Sequence, residues 1–206
     1  KQPNDEMLEK QKKLEDLFDK VMTPELKQKY EELQKLLQQL DKDKVQEALE
    51  KMKLDNKDLM KELDRNLEIF KQLELEQKIQ QNIDKLNELS KKEDDLSKKS
   101  EEKSSDAKEQ KEKQDELNKE FQDLKKDLKE MEDKNKELEK PMKMESTEQK
   151  QEDINKEMQK SSEQLDNNQK KNASKSQKNA SQKMQEMSNE LAQMQQKEQQ
   201  EKEKEE

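Results

Sequence analysis

The chain has 206 residues, of which 24% are hydrophobic, 48% charged and 2% aromatic, with a formal net charge of −9. A compact domain of this length carries about twice that apolar fraction, which excludes one large spherical core and leaves thin helical assemblies with narrow apolar seams, or disorder. Glycine, cysteine and histidine are all missing, which removes glycine-dependent hairpins and phosphate-cradling loops, disulfides and thiolate chemistry, imidazole catalysis and ordinary zinc sites together.

What remains is rich in Lys, Glu, Gln, Leu and Met, all good helix formers. The apolar residues are regularly spaced, which favours ordered helices over disorder. Met7, Gln11, Leu14, Phe18 and Val21 recur at 4,3 spacing and predict a first helix. Thr23–Pro24 has the pattern of an N-cap followed by proline at the first helical position. Leu26, Tyr30, Leu33, Leu37 and Leu40 then mark a second helix. After a polar break at 41–44, Val45, Ala48, Leu49 and Met52 mark a short third one.

Asp55 is the expected N-cap of a long fourth helix, with Asp58 at its third position. Leu59, Met60, Leu63, Leu67, Ile69, Phe70, Leu73 and Leu75 make a face wide enough to touch more than one neighbour. The first three helices are therefore expected to fold onto the start of the fourth. Beyond Leu75 the seam narrows to a heptad: Leu75, Ile79, Asn82, Leu86, Leu89, Glu93, Leu96.

From 97 to 116 the only apolar residue is Ala107; the seam resumes as Leu117, Phe121, Leu124, Leu128, Met131, Asn135 and Leu138, ending before Pro141. Folding at Ser104–Ser105–Asp106 would set Leu86 near Phe121 and Ile79 near Leu128, with Asp106 and Glu109 capping a restarted helix. The alternative is one helix over 56–140, about 125 Å long, its polar middle held by pairs such as Asp94–Lys98 and Asp95–Lys99. The hairpin is favoured because one chain then buries both arms.

After Pro141, Ser146 and Gln149 resemble a capping box. A last helix is expected to about residue 200. Its first seam is Ile154, Met158, Ser161 and Leu165. After a one-residue phase shift near 168–172 comes a second: Ala173, Gln177, Ala180, Met184, Met187, Leu191 and Met194. A tandem repeat, KNASKSQ then KNASQKM, lies in it, and residues 197–206 form a charged tail. The resulting expectation is an all-α fold, a small N-terminal bundle over 1–90 continuing into long antiparallel coiled-coil helices. A hairpin tip and return helix occupy 91–140, and a long C-terminal helix 141–206.

The carboxylate pairs Asp94–Asp95 and Glu101–Glu102 point about 100° apart on a helix and do not converge on one ion. No serine or lysine has a conventional base or pocket to activate it. No catalytic, cofactor or metal residues are assigned, and no small-molecule substrate is expected. Asn172-Ala-Ser174 and Asn179-Ala-Ser181 fit the glycosylation sequon inside a low-complexity repeat, where chance explains them. Arg65, the only arginine, is read either as a buried bridge or as a plain surface residue. The charges are interspersed and net negative, which argues against nucleic-acid binding and against a basic membrane-surface helix. No run of about 20 apolar residues could cross a membrane. The chain begins at Lys1, read as a processed product or a piece of something larger.

Three stretches, LEDLFDKVMTPELKQKYEELQKLLQQL, LDNKDLMKELDRNLEIFKQLELEQKI and QDELNKEFQDLKKDLKEMEDKNKELEKP, together with KNASKSQKNASQKMQEMSNELAQMQ, resemble the helical region of a family of very large bacteroidete proteins of unknown function. The likeness covers nearly the whole chain. It implies a membrane-anchored bacterial protein with this segment in the periplasm or envelope, and supplies no catalytic residues; a cytoplasmic position is the alternative. The function expected is a structural, scaffolding segment of such a protein. The second reading is a partner-binding module docking another protein through the C-terminal helix. The candidate interaction residues are the seam positions Ala173, Ala180, Met184, Met187, Leu191 and Met194. They are expected to meet an earlier helix, a second copy or a protein partner.

Overall fold

The computed structural model describes residues 3–55 and 58–205, with side chains from Asp5 onward. The chain is all-α, with no strand among the described residues. Its helices are α1 (Pro3–Asp19), α2 (Pro24–Gln39), α3 (Lys42–Glu50), α4 (Leu59–Glu101), α5 (Ala107–Lys136), α6 (Glu148–Asp166) and α7 (Lys170–Glu205). It divides into two compact units. One comprises the residues up to Gln77 with Lys134–Pro141; the other comprises Lys78–Asp133 with the residues from Met142 onward. The chain thus changes unit at 77/78, 133/134 and 141/142, where divisions near 90 and 140 were expected. The separations fall inside α4, near the end of α5 and after Pro141.

In the N-terminal unit, α2 starts as its sequence dictates. Thr23 Oγ1 accepts from the Leu26 N–H at 3.2 Å, and Pro24 occupies the first turn, where its missing donor costs nothing. Asp41 Oδ1 caps α3 by accepting from the Asp43 N–H at 2.9 Å. The core joins all four helices: Leu14 and Phe18 from α1, Leu26 and Leu33 from α2, Val45 and Leu49 from α3, and Leu63, Leu67 and Phe70 from α4. Each such side chain contributes about 1.5–3 kcal/mol when fully buried. The Phe18 and Tyr30 rings lie 4.5 Å apart, centre to centre. Gln77 clamps the α2–α3 turn, its Oε1 accepting from the Asp41 N–H and its Nε2 donating to the Gln39 carbonyl. Lys10 donates to the Leu49 carbonyl at 2.7 Å, satisfying an orphan acceptor at the end of α3.

Two local expectations change here. Val21 is 60% exposed, because α1 stops at Asp19 and Val21 falls in the link to Thr23. Helix α4 begins at Leu59, three residues later than an Asp55 cap implies, with the Asp58 carbonyl accepting from the Glu62 N–H at 2.9 Å. Residues 56 and 57 lie outside the described ones.

In the C-terminal unit, α4 ends at Glu101 and the chain reverses at 102–106. Asp106 Oδ1 accepts from the Lys108 N–H at 3.1 Å to open α5. The hairpin therefore forms and the continuous rod does not. Lys78 pairs with Glu130 at 3.1 Å and Glu93 faces Gln114, a register that sets Leu86 level with Phe121 and Ile79 level with Leu128. All four are fully buried.

The region after Pro141 departs from expectation. Residues 148–205 form two helices, not one. The phase shift near 168 is a chain reversal: Asn168 takes φ 59°, the Gln169 N–H reaches the Gln164 carbonyl at 2.7 Å, and the Asn168 N–H reaches that of Leu165 at 3.0 Å. Asparagine stands where glycine usually closes such a C-terminus, being the next most tolerant residue of a left-handed backbone. The Ser146–Gln149 capping box does not form either. Thr147 precedes α6, its Oγ1 taken by the Gln151 side chain, while Gln149 bonds to Asp153.

Pairings between helices fix the bundle. Helices α5 and α6 are tied by Asn118–Ser162 and Gln122–Asn155, α6 and α7 by Ser176–Gln164, Lys183–Glu157 and Lys150–Glu190, and α7 and α4 by Ser181–Ser90 and Ser174–Ser97. In each pair, advancing along one helix retreats along the other. The unit is an antiparallel four-helix bundle that closes on itself.

Candidate functional site

The candidate interaction residues lie inside this bundle. Ala173, Ala180, Met184 and Met187 are fully buried, Leu191 nearly so, and Met194 is half-buried. Of the three occupants expected for this seam, earlier helices of the same chain cover it.

Helices α4 and α7 meet through serines. The Ser90 and Ser181 hydroxyls are 3.0 Å apart, and each also reaches the other residue's backbone carbonyl, at 2.9 and 2.7 Å. One heptad away, Ser97 and Ser174 repeat the arrangement at 3.0, 3.0 and 2.9 Å. Ser188 continues the line, bonding to the Asn87 side chain at 2.6 Å. A hydroxyl one bond from Cβ touches a facing backbone only when two helices approach at the close end of the usual interaxial range of about 8–10 Å. Small residues permit that approach, and the hydroxyls recover hydrogen bonds inside the contact. At the turn end of the same pair, Lys170 donates to the Ser105 carbonyl at 2.7 Å, pinning the start of α7 to the α4–α5 turn.

Next to this seam, each helix contributes one polar side chain to a layer fully withdrawn from solvent: Glu93, Gln114, Ser161 and Gln177. Gln114 is its hub. Its Nε2 donates to Glu93 Oε1 at 2.5 Å and to Asn118 Oδ1 at 2.9 Å. Its Oε1 accepts from Ser161 Oγ at 3.0 Å and from Gln177 Nε2 at 3.1 Å. Burial pushes the Glu93 carboxyl up to about 8, opposed by the bond from Gln114. Buried carboxylates are rare unless paired, and no cation supports this one.

The other candidates resolve to surface roles. Asp94 pairs with Lys98 at 3.3 Å, and Arg65 is a surface residue 3.7 Å from Glu62. Among the described residues no group of three or more carboxylates could hold a metal ion, and no helix is long and apolar enough to cross a membrane. Asn172 and Asn179 are exposed, but the serines of their sequons, Ser174 and Ser181, are the buried partners of Ser97 and Ser90.

The serine seam has a sequence signal beyond low complexity. The α7 repeat KNASKSQ–KNASQKM has a period of seven, and α4 carries a matching one, LSKKEDD–LSKKSEE over 89–102. Two heptad repeats with serine on one stripe are the mark of two helices in close contact. Comparison with known proteins returned no matching family model, no matching curated protein and no matching solved structure.

Proposed function

We propose that this chain is a structural, scaffolding segment of a larger bacterial cell-envelope protein. The observation that carries the reading is the closure of the C-terminal bundle. The methionine and alanine seam of α7 is buried against helices of its own chain, and serine pairs set the register of α7 on α4. A module built this way holds its shape without a partner and turns a mixed-charge surface outward. Pairs such as Lys92 with Glu88 and Glu120 keep that surface hydrated. Burial of five of the six candidate residues also weighs against docking of another protein through that face of α7. The envelope position rests on the resemblance of the quoted helical stretches and on nothing in the packing.

Amide exchange on the purified chain, with its mass measured in solution, tests the reading. A scaffold of this kind exchanges slowly across 173–191 as a monomer. Fast exchange there that slows only when a second protein is added would replace scaffolding by docking. Protease accessibility of the parent protein in intact and permeabilised cells tests the envelope position separately.

A further inference from the structure

We infer that Glu93 stands in the folded bundle as a neutral carboxylic acid whose proton bridges to Gln177, making the buried polar layer a pH-responsive lock on the four-helix packing. The argument is a count of donors and acceptors. Gln177 donates to Gln114, and Gln114 donates to Glu93. Two buried acceptors are then left without a partner, Glu93 Oε2 and Gln177 Oε1. Two unpartnered acceptors in one fully buried layer lack a single proton, and the only group of the layer that can take one up is the Glu93 carboxyl. With the proton on Oε2, Glu93 donates to Gln177 Oε1 and the three side chains close a ring in which each donates and each accepts.

Reversing the amides does not remove the need. A carboxylate only accepts, so if both glutamines donate to Glu93 their own carbonyl oxygens are left facing each other. Ser161 holds one proton and can relieve only one of them. The groups facing Glu93 are uncharged on every helix: Gln114 of α5, Ser161 of α6 and Gln177 of α7. The charged residues nearest along the helices, Lys92 and Asp94, Lys113 and Asp115, Lys160, and Lys178, all lie outside the buried layer.

Burial raises the Glu93 carboxyl from its ordinary 4.5 to about 8, the direction the ring requires. The folded chain therefore binds one more proton than the unfolded chain between those values, and stability falls as pH rises through the window. The contribution is complete below about pH 4.5 and is lost progressively up to about pH 8, beyond which the bundle holds a buried charge and two unpartnered acceptors. The lock tightens on mild acidification and loosens on alkalinisation.

The test compares the full chain with Glu93→Gln, whose amide supplies the ring's missing donor at every pH. Unfolding of the C-terminal unit is followed by amide exchange over 177–188 between pH 5 and 8. The ratio of the two unfolding constants, wild type over variant, should rise up to about tenfold per pH unit, and about three-thousandfold over the full shift. Carboxyl-carbon NMR of the wild-type chain, which needs no variant to fold, should place the Glu93 titration well above that of the exposed glutamates. A Glu93 midpoint near 4.5 in the folded chain, or a ratio that does not change with pH, would overturn the inference.

Discussion

Ser181 of α7 offers the sharpest test of the close α4–α7 contact. Its hydroxyl sits 3.0 Å from that of Ser90 and 2.7 Å from the Ser90 carbonyl, in a position only 7% exposed. Ser181→Ala removes one buried hydrogen bond, but the Ser90 hydroxyl keeps the residue-181 carbonyl as acceptor. The expected cost is about 0.5–1 kcal/mol. Ser181→Leu places a branched side chain where the Ser90 hydroxyl and backbone already fill the space. Overpacking of this kind costs about 1–3 kcal/mol, and with the lost hydrogen bond the total is roughly 2–4 kcal/mol. At about 3–5 °C per kcal/mol for a unit of this size, the melting transition should fall by roughly 6–20 °C. Circular dichroism follows the helices, and Tyr30, the only tyrosine, reports separately on the N-terminal unit. The pair Ser90→Ala and Ser181→Ala, taken singly and together, should show a coupling of about 0.5–1 kcal/mol. If Ser181→Leu melts within about 0.5 kcal/mol of wild type, the two backbones are not close and the seam argument fails.

Leu63 lies in the core of the N-terminal unit at 1% exposure; Leu63→Asp buries an unpaired charge and should cost about 3–5 kcal/mol or unfold that unit, seen as loss of the Tyr30 near-ultraviolet signal. Burial, reinforced by Glu15 and Asp19, raises the Tyr30 phenol above its usual 10.0. Absorbance titration should therefore show a midpoint above 10 in the native chain that drops to the ordinary value in denaturant, with stability declining as pH rises past 10. Asn168→Gly should leave stability unchanged or slightly raised at the φ 59° position, whereas Asn168→Val should cost about 1–2 kcal/mol. Equal melting temperatures for the two Asn168 variants would contradict the left-handed turn.

Features that depend on local pattern are legible in the residues alone. A 4,3 spacing of apolar residues specifies a helix and its inward face wherever it occurs, so the N-terminal core and the burial of Leu63 were legible. So were the Thr23–Pro24 start, which is local capping chemistry, and the α4–α5 reversal, where two apolar arms flank a polar gap holding Asp106. The α6–α7 reversal was not legible. Neither proline nor glycine marks it, and Asn168 turns the chain in a stretch that would otherwise read as helix. The roles of Ser90, Ser97, Gln114 and Gln177 were settled only by tertiary structure, because a polar residue is buried or solvated according to how many neighbours surround it. In a two-helix coil these positions would face water; in a closed four-helix bundle they meet a second and a third helix. Glu93 was visible as a seam position, but its protonation depends on Gln114, Ser161 and Gln177, which arrive from three other helices and bring no charge.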